Sequence, residues 1–229
     1  WESGSMAQLE ILPYLQRQGI QLEWLILSHD DNDHSGGARA MLSAYPDIQL
    51  TTASQKRYGE KNTEENNRTF CLAGKQWAWQ GLRLTVLSPD NIVPRAENSN
   101  SCTLLLTDGK HNILLTGDAD LSVEYNILPK LDKIHVLQVG HHGSKTSTGE
   151  ALVRHIQPDN ALISSSRWNP WHFPHQTVVD RLTRHHAQLY NTAEDGQIRL
   201  LFEENDIKIQ TARAEFSPWY RRLIGLKGK

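Results

Sequence analysis

Short apolar runs alternate with amphipathic stretches along the 229-residue chain. Many of the runs pass abruptly into polar loops, which is typical of buried strands in an α/β protein. The pattern predicts strands at 24–27, 48–52, 77–87, 102–107, 112–116, 134–139, 161–164, 198–202 and 207–211. It predicts helices at 38–45, 122–131, 148–156 and 176–186. Because strand pairs and single β–α steps both occur, we expect sheets flanked by helices rather than one doubly wound parallel sheet.

The chain contains no internal repeat and no linker marked by a change in composition. We therefore predict one domain over residues 1–212, followed by a basic and aromatic tail over 213–229. The polar segment 57–68 is expected to form an exposed loop, and Asp108-Gly109 is a hairpin turn signal.

Composition narrows the possible classes of protein. Hydrophobic residues make up 38% and charged residues 22% of the chain, a balance that supports a packed core rather than disorder. The formal net charge of −2 argues against a binder that relies on an overall basic surface. No apolar run approaches the roughly 20 residues that cross a bilayer, so we predict no transmembrane segment.

The two cysteines, Cys71 and Cys102, each lack a nearby cysteine, which excludes a CxxC metal site. They fit either two small buried side chains or one disulfide between strands. A disulfide would imply an oxidising compartment.

Acidic and imidazole side chains are concentrated directly after the first predicted strand, in the segment HDDNDH. Such groups repel one another and compete for protons unless a cation lies among them. A strand end followed by a tight loop points alternate side chains into one pocket. We therefore interpret His29, Asp31, Asp33 and His34 as ligands of a divalent metal pair, in preference to a solvated turn with a helix N-cap at Ser35.

Three further groups occupy similar positions in the pattern. Asp118 ends the segment LLTGD just beyond a strand, where a carboxylate could bridge two metals. His141 and His142 lie between glycines after another strand, and His175 begins a helix. We expect these groups to join the same metal centre. The other histidines are expected to be structural or at the surface: His111, His135, His155, His172, His185 and His186.

These motifs, in this order, resemble the C-terminal metallo-β-lactamase-like domain of ComEC-type DNA-internalisation (competence) proteins. The superfamily pattern HxHxDH is similar to the HDDNDH segment, with Asp31 in place of the second histidine as in the ComEC branch. The segments LLTGD, GHHGS and NxxxxFPH, the stretch NSNSC that ends at Cys102, and the closing SPWYRR are also similar to that branch.

The resemblance implies an α/β fold, the metallo-β-lactamase-like αββα sandwich of two mixed sheets flanked by helices. It implies that strands of the fold with a GQGD-like segment lie upstream of Trp1, which leaves the domain incomplete at its N-terminus. It also implies a metal-dependent nuclease that hydrolyses phosphodiester bonds of incoming DNA, with the non-transforming strand as the expected substrate.

The expected cofactor is a pair of divalent metal ions. Oxygen-rich ligands favour Mn²⁺, with Zn²⁺ or Mg²⁺ as alternatives. We expect the ions to share Asp118 and a hydroxide that attacks phosphorus in line. The predicted ligands are His29, Asp31, Asp33, His34, Asp118, His141 and His175. The predicted catalytic residues are Asp33, Asp118, His142 and His175, with His142 or His175 stabilising the transition state or protonating the leaving oxygen.

The resemblance further implies contacts between DNA and Ser144, Lys145 and Arg167. The tail residues Arg221 and Arg222 are expected to extend this basic patch. The expected partners are DNA and the membrane-channel portion of the same parent protein, with this domain facing the periplasm from the inner membrane. That compartment favours a Cys71–Cys102 disulfide over free thiols.

One departure from the family pattern keeps other functions open. Many relatives have His-Pro-His where this chain has Phe173-Pro174-His175. A first alternative, which does not depend on this departure, is a hydrolase of a small ester, lactone or thioester, with a narrow apolar cleft; Asp31 in place of histidine favours the nuclease over it. A second is a DNA-binding module whose site does not turn over.

Overall fold

The computed structural model describes residues 5–59, 67–204 and 206–215. Its strands are β1 (Trp24–Leu27), β2 (Gln49–Thr52), β3 (Arg68–Phe70), β4 (Gln76–Trp79), β5 (Leu82–Ser88), β6 (Thr103–Thr107), β7 (Asn112–Leu115), β8 (Val136–Gln138), β9 (Asn160–Ile163), β10 (Gln188–Asn191), β11 (Ile198–Phe202) and β12 (Ile207–Thr211). Its α-helices are α1 (Leu12–Gln18), α2 (Asn32–Ser35), α3 (Ala38–Ala44), α4 (Leu121–Ile127), α5 (Glu150–Ile156), α6 (Gln176–Arg184), α7 (Thr192–Asp195) and α8 (Ala212–Glu215).

A seven-stranded mixed sheet in the order β10-β9-β8-β7-β6-β5-β4 forms the centre of the fold. Strands β7 to β10 are parallel, whereas β4 to β7 pair antiparallel. Side chains alternate across a strand. On β7 and β8, Leu114 and Leu137 therefore face the helices, while Ile113 and Val136 face the opposite layer.

Helices α4, α5 and α6 cover one face of this sheet. They contribute Val123, Leu152 and Val178, among other apolar side chains, to the largest core cluster. These side chains recur every three to four residues along each helix, so each helix presents one apolar stripe to the sheet.

The other face is covered by two separate pieces, the parallel sheet β1-β2-β3 and the antiparallel pair β11-β12. Ile26 of β1 packs with Leu104 of β6, and Ile207 of β12 packs with Val136 of β8. Helices α1 and α3 lie outside the three-stranded sheet, where Leu15 and Met41 share a cluster. The predicted α/β sandwich with two sheet layers between helices is confirmed.

Several local predictions need correction. The segment 77–87 is a hairpin rather than one strand, because Gln80 and Gly81 adopt positive φ angles of 48° and 84° between β4 and β5. The helix predicted from Thr148 begins at Glu150, because Thr148 has a φ of +53°. Helix α1 and the short strands β3 and β10 were not predicted.

Other predictions lie partly outside the described residues. These include most of the loop 57–68 and the tail from residue 216 onward, with Arg221 and Arg222.

Strand β1 occupies one end of its three-stranded sheet and, among the described strands, pairs only with β2. No helix in the described ranges has the length and apolar character that crossing a bilayer requires.

Cys71 and Cys102 form a disulfide that connects the two sheet layers. Cys71 directly follows β3 and Cys102 directly precedes β6, with 5.8 Å between their Cα atoms. Both residues are buried in the apolar cluster between the layers.

We predict that the double substitution Cys71→Ala/Cys102→Ala lowers the free energy of unfolding. The disulfide spans a sequence separation of 31 residues. Removing a cross-link over such a loop costs about 3 to 4 kcal/mol, because the unfolded chain gains conformational freedom. Urea denaturation of the oxidised protein and of the variant measures the difference, and adding reductant to the variant is the control. Equal unfolding free energies would contradict the prediction.

Candidate metal centre

The centre forms where several strands of both layers end. β7 and β8 are parallel neighbours, so the loops that follow them emerge at the same edge of the sheet. The loop after β7 carries Asp118, and the loop after β8 carries His141 and His142. The loop after β1 brings His29 to His34 to the same place from the opposite layer.

The deepest group of possible ligands consists of His29, His34 and Asp118, which we call the inner cluster. His29 is completely buried and Asp118 is 3% exposed. Nε2 of His34 lies 3.2 Å from Oδ1 of Asp118, and Nε2 of His29 lies 4.0 Å from Oδ2. Nε2 of His141 approaches the same Oδ2 to 3.6 Å. The two carboxylate oxygens of Asp118 therefore face different histidines.

A second group, the outer cluster, consists of Asp33, His34 and His142. Oδ2 of Asp33 lies 3.3 Å from Nε2 of His142 and 3.9 Å from Nε2 of His34. The Asp33 side chain is 64% exposed, so this cluster opens to solvent.

Contacts outside the two clusters orient the imidazole rings. The hydroxyl of Ser28 lies 3.1 Å from Nδ1 of His29 and 3.0 Å from Nδ1 of His34. Nδ1 of His142 lies 2.8 Å from the backbone carbonyl of Ser164, which only accepts hydrogen bonds. These contacts occupy the Nδ1 atoms and leave the Nε2 atoms directed at carboxylates, as in metal sites whose outer contacts orient the ligands.

The backbone around Asp118 is held from β8. The side-chain oxygen of Gln138 accepts hydrogen bonds of 2.9 Å from the N–H groups of both Thr116 and Gly117. Gly117 has a φ of +55°, and a Cβ there would lie 2.8 Å from Cβ of Ser28. The site therefore needs glycine at this position, both for its conformation and for the close approach of the β1 loop.

The loop with the paired histidines is held by a buried network. Gly143 has a φ of +86°, and a Cβ there would meet Cβ of Pro174 at 2.5 Å. The Thr148 hydroxyl accepts a 2.9 Å hydrogen bond from the N–H of Gly140. The buried carboxylate of Glu124 in turn accepts hydrogen bonds from the N–H groups of Thr148 and Gly149.

Asp30 has a structural role within the acidic segment. It is 2% exposed, and its carboxylate accepts hydrogen bonds from the Ser54 hydroxyl at 3.0 Å, the Ala96 N–H at 2.6 Å, and the Tyr58 hydroxyl. Burial and the contact with Asp30 raise the pKa of Tyr58 to about 12, so Tyr58 remains a hydrogen-bond donor. Asp30 therefore fixes the ligand loop against the loops after β2 and β5.

Within the inner cluster, the pKa values of the two histidines are shifted in opposite directions. Burial, reinforced by the charge of His34, lowers the pKa of His29 and favours its neutral form. For His34, burial is outweighed by contact with Asp118, and the pKa is raised. Burial also opposes ionisation of Asp118, but the contact with His34 outweighs it and the pKa of this carboxyl is lowered.

The residues present fit a divalent metal. Nε2 of His29, Nε2 of His34 and Oδ1 of Asp118 are buried and have no hydrogen-bond partner. Leaving such groups without a partner costs about 1–3 kcal/mol each, and more when the group is charged. Divalent cations bound at this cluster would give these atoms the partners that they lack.

The other predicted site residues differ in how closely they approach the clusters. Asp31 lies beside the inner cluster, with Oδ2 3.6 Å from Nε2 of His29, and its Oδ1 lies 3.4 Å from Arg95. His175 is the N-cap residue of α6, its ring packs edge-on against Phe173, and it belongs to neither ligand cluster found among the described residues.

The predicted DNA contacts differ in accessibility. Ser144 is 6% exposed and its hydroxyl lies 3.0 Å from that of Thr146, so the structure gives it a role inside the loop rather than at a DNA surface. Lys145 is exposed, whereas Arg167 forms a 3.1 Å ion pair with Glu194.

Sequence reasoning assigned no role to the residues that support the ligands. Asp30, Gln138 and Glu124 act through partners that are distant in sequence, and these residue types, like Ser28, are common in loops and helices. Asn98 was noted only as part of a motif, and its side-chain nitrogen lies 3.4 Å from Nδ1 of His141. A buried acid inside a helix, such as Glu124, was the one usable signal.

Comparison with known proteins identifies the family. The sequence model of the Metallo-beta-lactamase superfamily matches residues 1–167. The chain belongs to this superfamily. Its members are characteristically metal-dependent and hydrolytic, which agrees with the ligand clusters described above.

Relatives within the superfamily include competence and recombination proteins, which confirms the resemblance inferred from the motifs. The chain is 58% identical over 226 residues to Recombination protein 2 of Haemophilus influenzae, covering 99% of this chain and 28% of that protein. It is 33% identical over 217 residues to ComE operon protein 3 of Bacillus subtilis, covering 87% and 27%. The chain thus spans less than a third of these relatives.

A solved structure supports the fold alone. CmlA, a diiron β-hydroxylase from Streptomyces venezuelae, superposes with a TM-score of 0.52 at 8% identity. The match covers 74% of this chain and 43% of CmlA.

We predict that Asp118→Asn weakens the binding of Mn²⁺ and Zn²⁺ by more than about 100-fold. Loss of a residue that only orients a metal ligand already costs roughly 10- to 100-fold in affinity, and Asp118 is itself a candidate ligand. The substitution keeps the shape of the side chain but removes the charge that faces three histidines. Isothermal titration calorimetry measures the affinity. Asp132→Asn, an exposed change in the loop before β8, is the matched control. Unchanged affinity in Asp118→Asn would show that the inner cluster does not hold the metal.

We predict a pH dependence of stability that originates at Glu124. Burial raises its pKa from 4.5 to about 7, against the opposing effect of the two N–H contacts. Between these values the folded state holds a proton that the unfolded state lacks. The free energy of unfolding therefore falls as pH rises through this window, by on the order of 3 kcal/mol.

In Glu124→Gln, which cannot ionise, this component of the decrease should be absent. Urea denaturation of both proteins in EDTA, from pH 4.5 to 8, measures the difference between the two curves. Curves that stay parallel across the range would contradict the assignment.

Proposed function

We propose that this domain is a metal-dependent phosphodiesterase that hydrolyses DNA, with two divalent ions, preferably Mn²⁺, as its cofactor. The observation that carries the proposal is the position of the Asp118 carboxylate between two sets of donors. Its Oδ1 faces His34, whereas its Oδ2 faces His29 and His141. A carboxylate that is shared in this way suits two adjacent cations, an arrangement common in nucleases and phosphatases.

The donors divide naturally into two ligand sets. One imidazole nitrogen binds one cation, so His34 serves a single ion even though it belongs to both clusters. His29 and His141 face one oxygen of Asp118, and Asp31 lies beside His29. His34 faces the other oxygen, and Asp33 lies beside His34. Bound ions would supply positive charge to the phosphate oxygens and increase the acidity of water. The carboxylate-rich ligand set favours Mn²⁺ or Mg²⁺ over an all-imidazole zinc site.

Among the described histidines of the centre, His142 is well placed to give a proton to the leaving oxygen. The His142 side chain is 26% exposed, whereas His29 is completely buried, so His142 is the more accessible to a substrate. Its Nδ1 is held by the Ser164 carbonyl, and its Nε2 lies 3.3 Å from Asp33. We assign to Nε2 of His142 the protonation of the leaving oxygen.

The relatives support DNA as the substrate, since one is named for recombination and others are competence proteins. We extend the proposal to a domain of a DNA-uptake channel protein that degrades the non-transforming strand. The membrane portion of the same polypeptide would then be a partner, and the domain would face the periplasm from the inner membrane. The Cys71–Cys102 disulfide fits that oxidising compartment.

One feature favours a second candidate, a hydrolase of a small apolar ester, lactone or thioester. A cavity of about 520 Å³ opens beside His34 and His142, a size typical of small-ligand sites. Its walls are mostly apolar and come from both sheet layers: Trp24, Ile26, Trp79, Leu84, Leu104, Leu106 and Leu115.

We predict that the chain, with Mn²⁺, cleaves a labelled DNA that has both double-stranded and single-stranded regions, and that EDTA and Asp33→Ala each abolish cleavage. Loss of the Asp33 ligand should lower the rate of DNA cleavage by at least about 100-fold, because loss of a residue that only orients a ligand already costs about 10- to 100-fold. Asp132→Ala is the matched control and should cleave like the wild type.

Parallel assays with p-nitrophenyl esters and a lactone separate the candidates. Hydrolysis of these compounds without DNA cleavage would favour the small-molecule enzyme. Metal binding without turnover of any substrate would favour a DNA-binding module and overturn the proposed activity.

A further inference from the structure

The loop between β9 and α6 exposes two tryptophans next to the metal centre. Trp168 is 90% exposed and Trp171 is 66% exposed, which makes them the two most exposed aromatic side chains in the described part of the chain. Exposed indole rings leave a large apolar area in water. Two of them, three residues apart in one loop, indicate a surface that meets a planar ligand.

Near-parallel aromatic rings connect these tryptophans to the centre. The ring of His142 lies 6.3 Å from that of Phe173, with 23° between their planes. Phe173 lies 6.3 Å from Trp171, with 16° between their planes. The three rings form a series of similar orientation that begins at Asp33 and His142 and ends in solvent at Trp171. We call this series, together with Trp168, the aromatic ladder.

The loop that carries the ladder is well braced. The side-chain nitrogen of Asn169 donates hydrogen bonds to the carbonyls of Ser166 at 2.7 Å and of Phe173 at 2.8 Å. Its side-chain oxygen accepts a 2.7 Å hydrogen bond from the N–H of Phe173. One amide thus closes the loop on both sides of Trp171 and holds the backbone that carries the exposed rings.

We propose that the aromatic ladder binds the unpaired bases of a single DNA strand and leads that strand into the metal centre. This inference rests on the proposed function and specifies the form of its substrate. Aromatic rings stack on any base, so such a surface binds single strands with little sequence preference. Paired bases inside a duplex do not expose their faces. The ladder also gives Phe173 a role at the position where many relatives have histidine.

The first test is binding of a fluorescein-labelled dT₁₂ oligomer, measured by anisotropy in EDTA so that no strand is cut. Trp168→Ala and Trp171→Ala should each weaken binding by about tenfold, the typical loss for one stacked base. Trp171→Phe should retain most of the affinity. Tyr125→Ala removes another exposed aromatic residue, on α4, and should have no effect. An abasic oligomer of the same length should bind all variants alike.

The second test is cleavage of the same strand in Mn²⁺, where Trp171→Ala should raise KM about tenfold and leave kcat unchanged. Wild-type affinity in both alanine variants, equal losses with the abasic oligomer, or no binding of dT₁₂ by the wild type would each overturn the inference. So would a finding that the tryptophans bind anionic phosphatidylglycerol vesicles instead.

The two proposals fail in distinguishable ways. Binding of dT₁₂ that depends on the tryptophans, without cleavage, would remove the nuclease and leave the ladder. Cleavage that is indifferent to both tryptophans would remove the ladder and leave the nuclease.

Discussion

The structure depends on the convergence of one buried carboxylate, Asp118, with the Nε2 atoms of three histidines. The surrounding fold holds these buried polar atoms close together, at a cost that a bound cation would offset. Parallel pairing of β7 and β8 brings Asp118 and the paired histidines to one edge, and the opposite layer adds His29 and His34. The centre therefore lies between two layers and forms only when they pack together.

The contacts that enforce this geometry come from outside the ligand set. Ser28 orients two histidines, Gln138 holds the backbone before Asp118, and Asp30 anchors the ligand loop. Glu124 supports the loop with the paired histidines through Thr148. The disulfide also supports the site, since it joins the two sheet layers whose packing creates the centre. Stability and site geometry are thus coupled in this domain.

Most strands and the polar groups that follow them were predictable, because apolar runs that end in His, Asp or Gly have a clear pattern. The hairpin at Gln80-Gly81 was missed, because glutamine is not typical of the first position of such a turn and Gly81 was its only signal. His175 begins α6 as its sequence position indicates, but its ring contacts Phe173 and belongs to neither cluster among the described residues. Asp30 and Asp31 are adjacent and chemically identical, so only three-dimensional packing separates the structural acid from the candidate ligand.

Two surfaces adjoin the centre, and they favour different substrates. The apolar cavity between the layers would suit a small ligand, but it lies along β1, whose outer edge pairs with no described strand. The tryptophan loop, by contrast, is closed by its own asparagine and presents its rings outward. The small-molecule alternative rests on the first surface. The proposed single-stranded DNA substrate rests on the second, whose exposed rings can stack on the bases of a polymer.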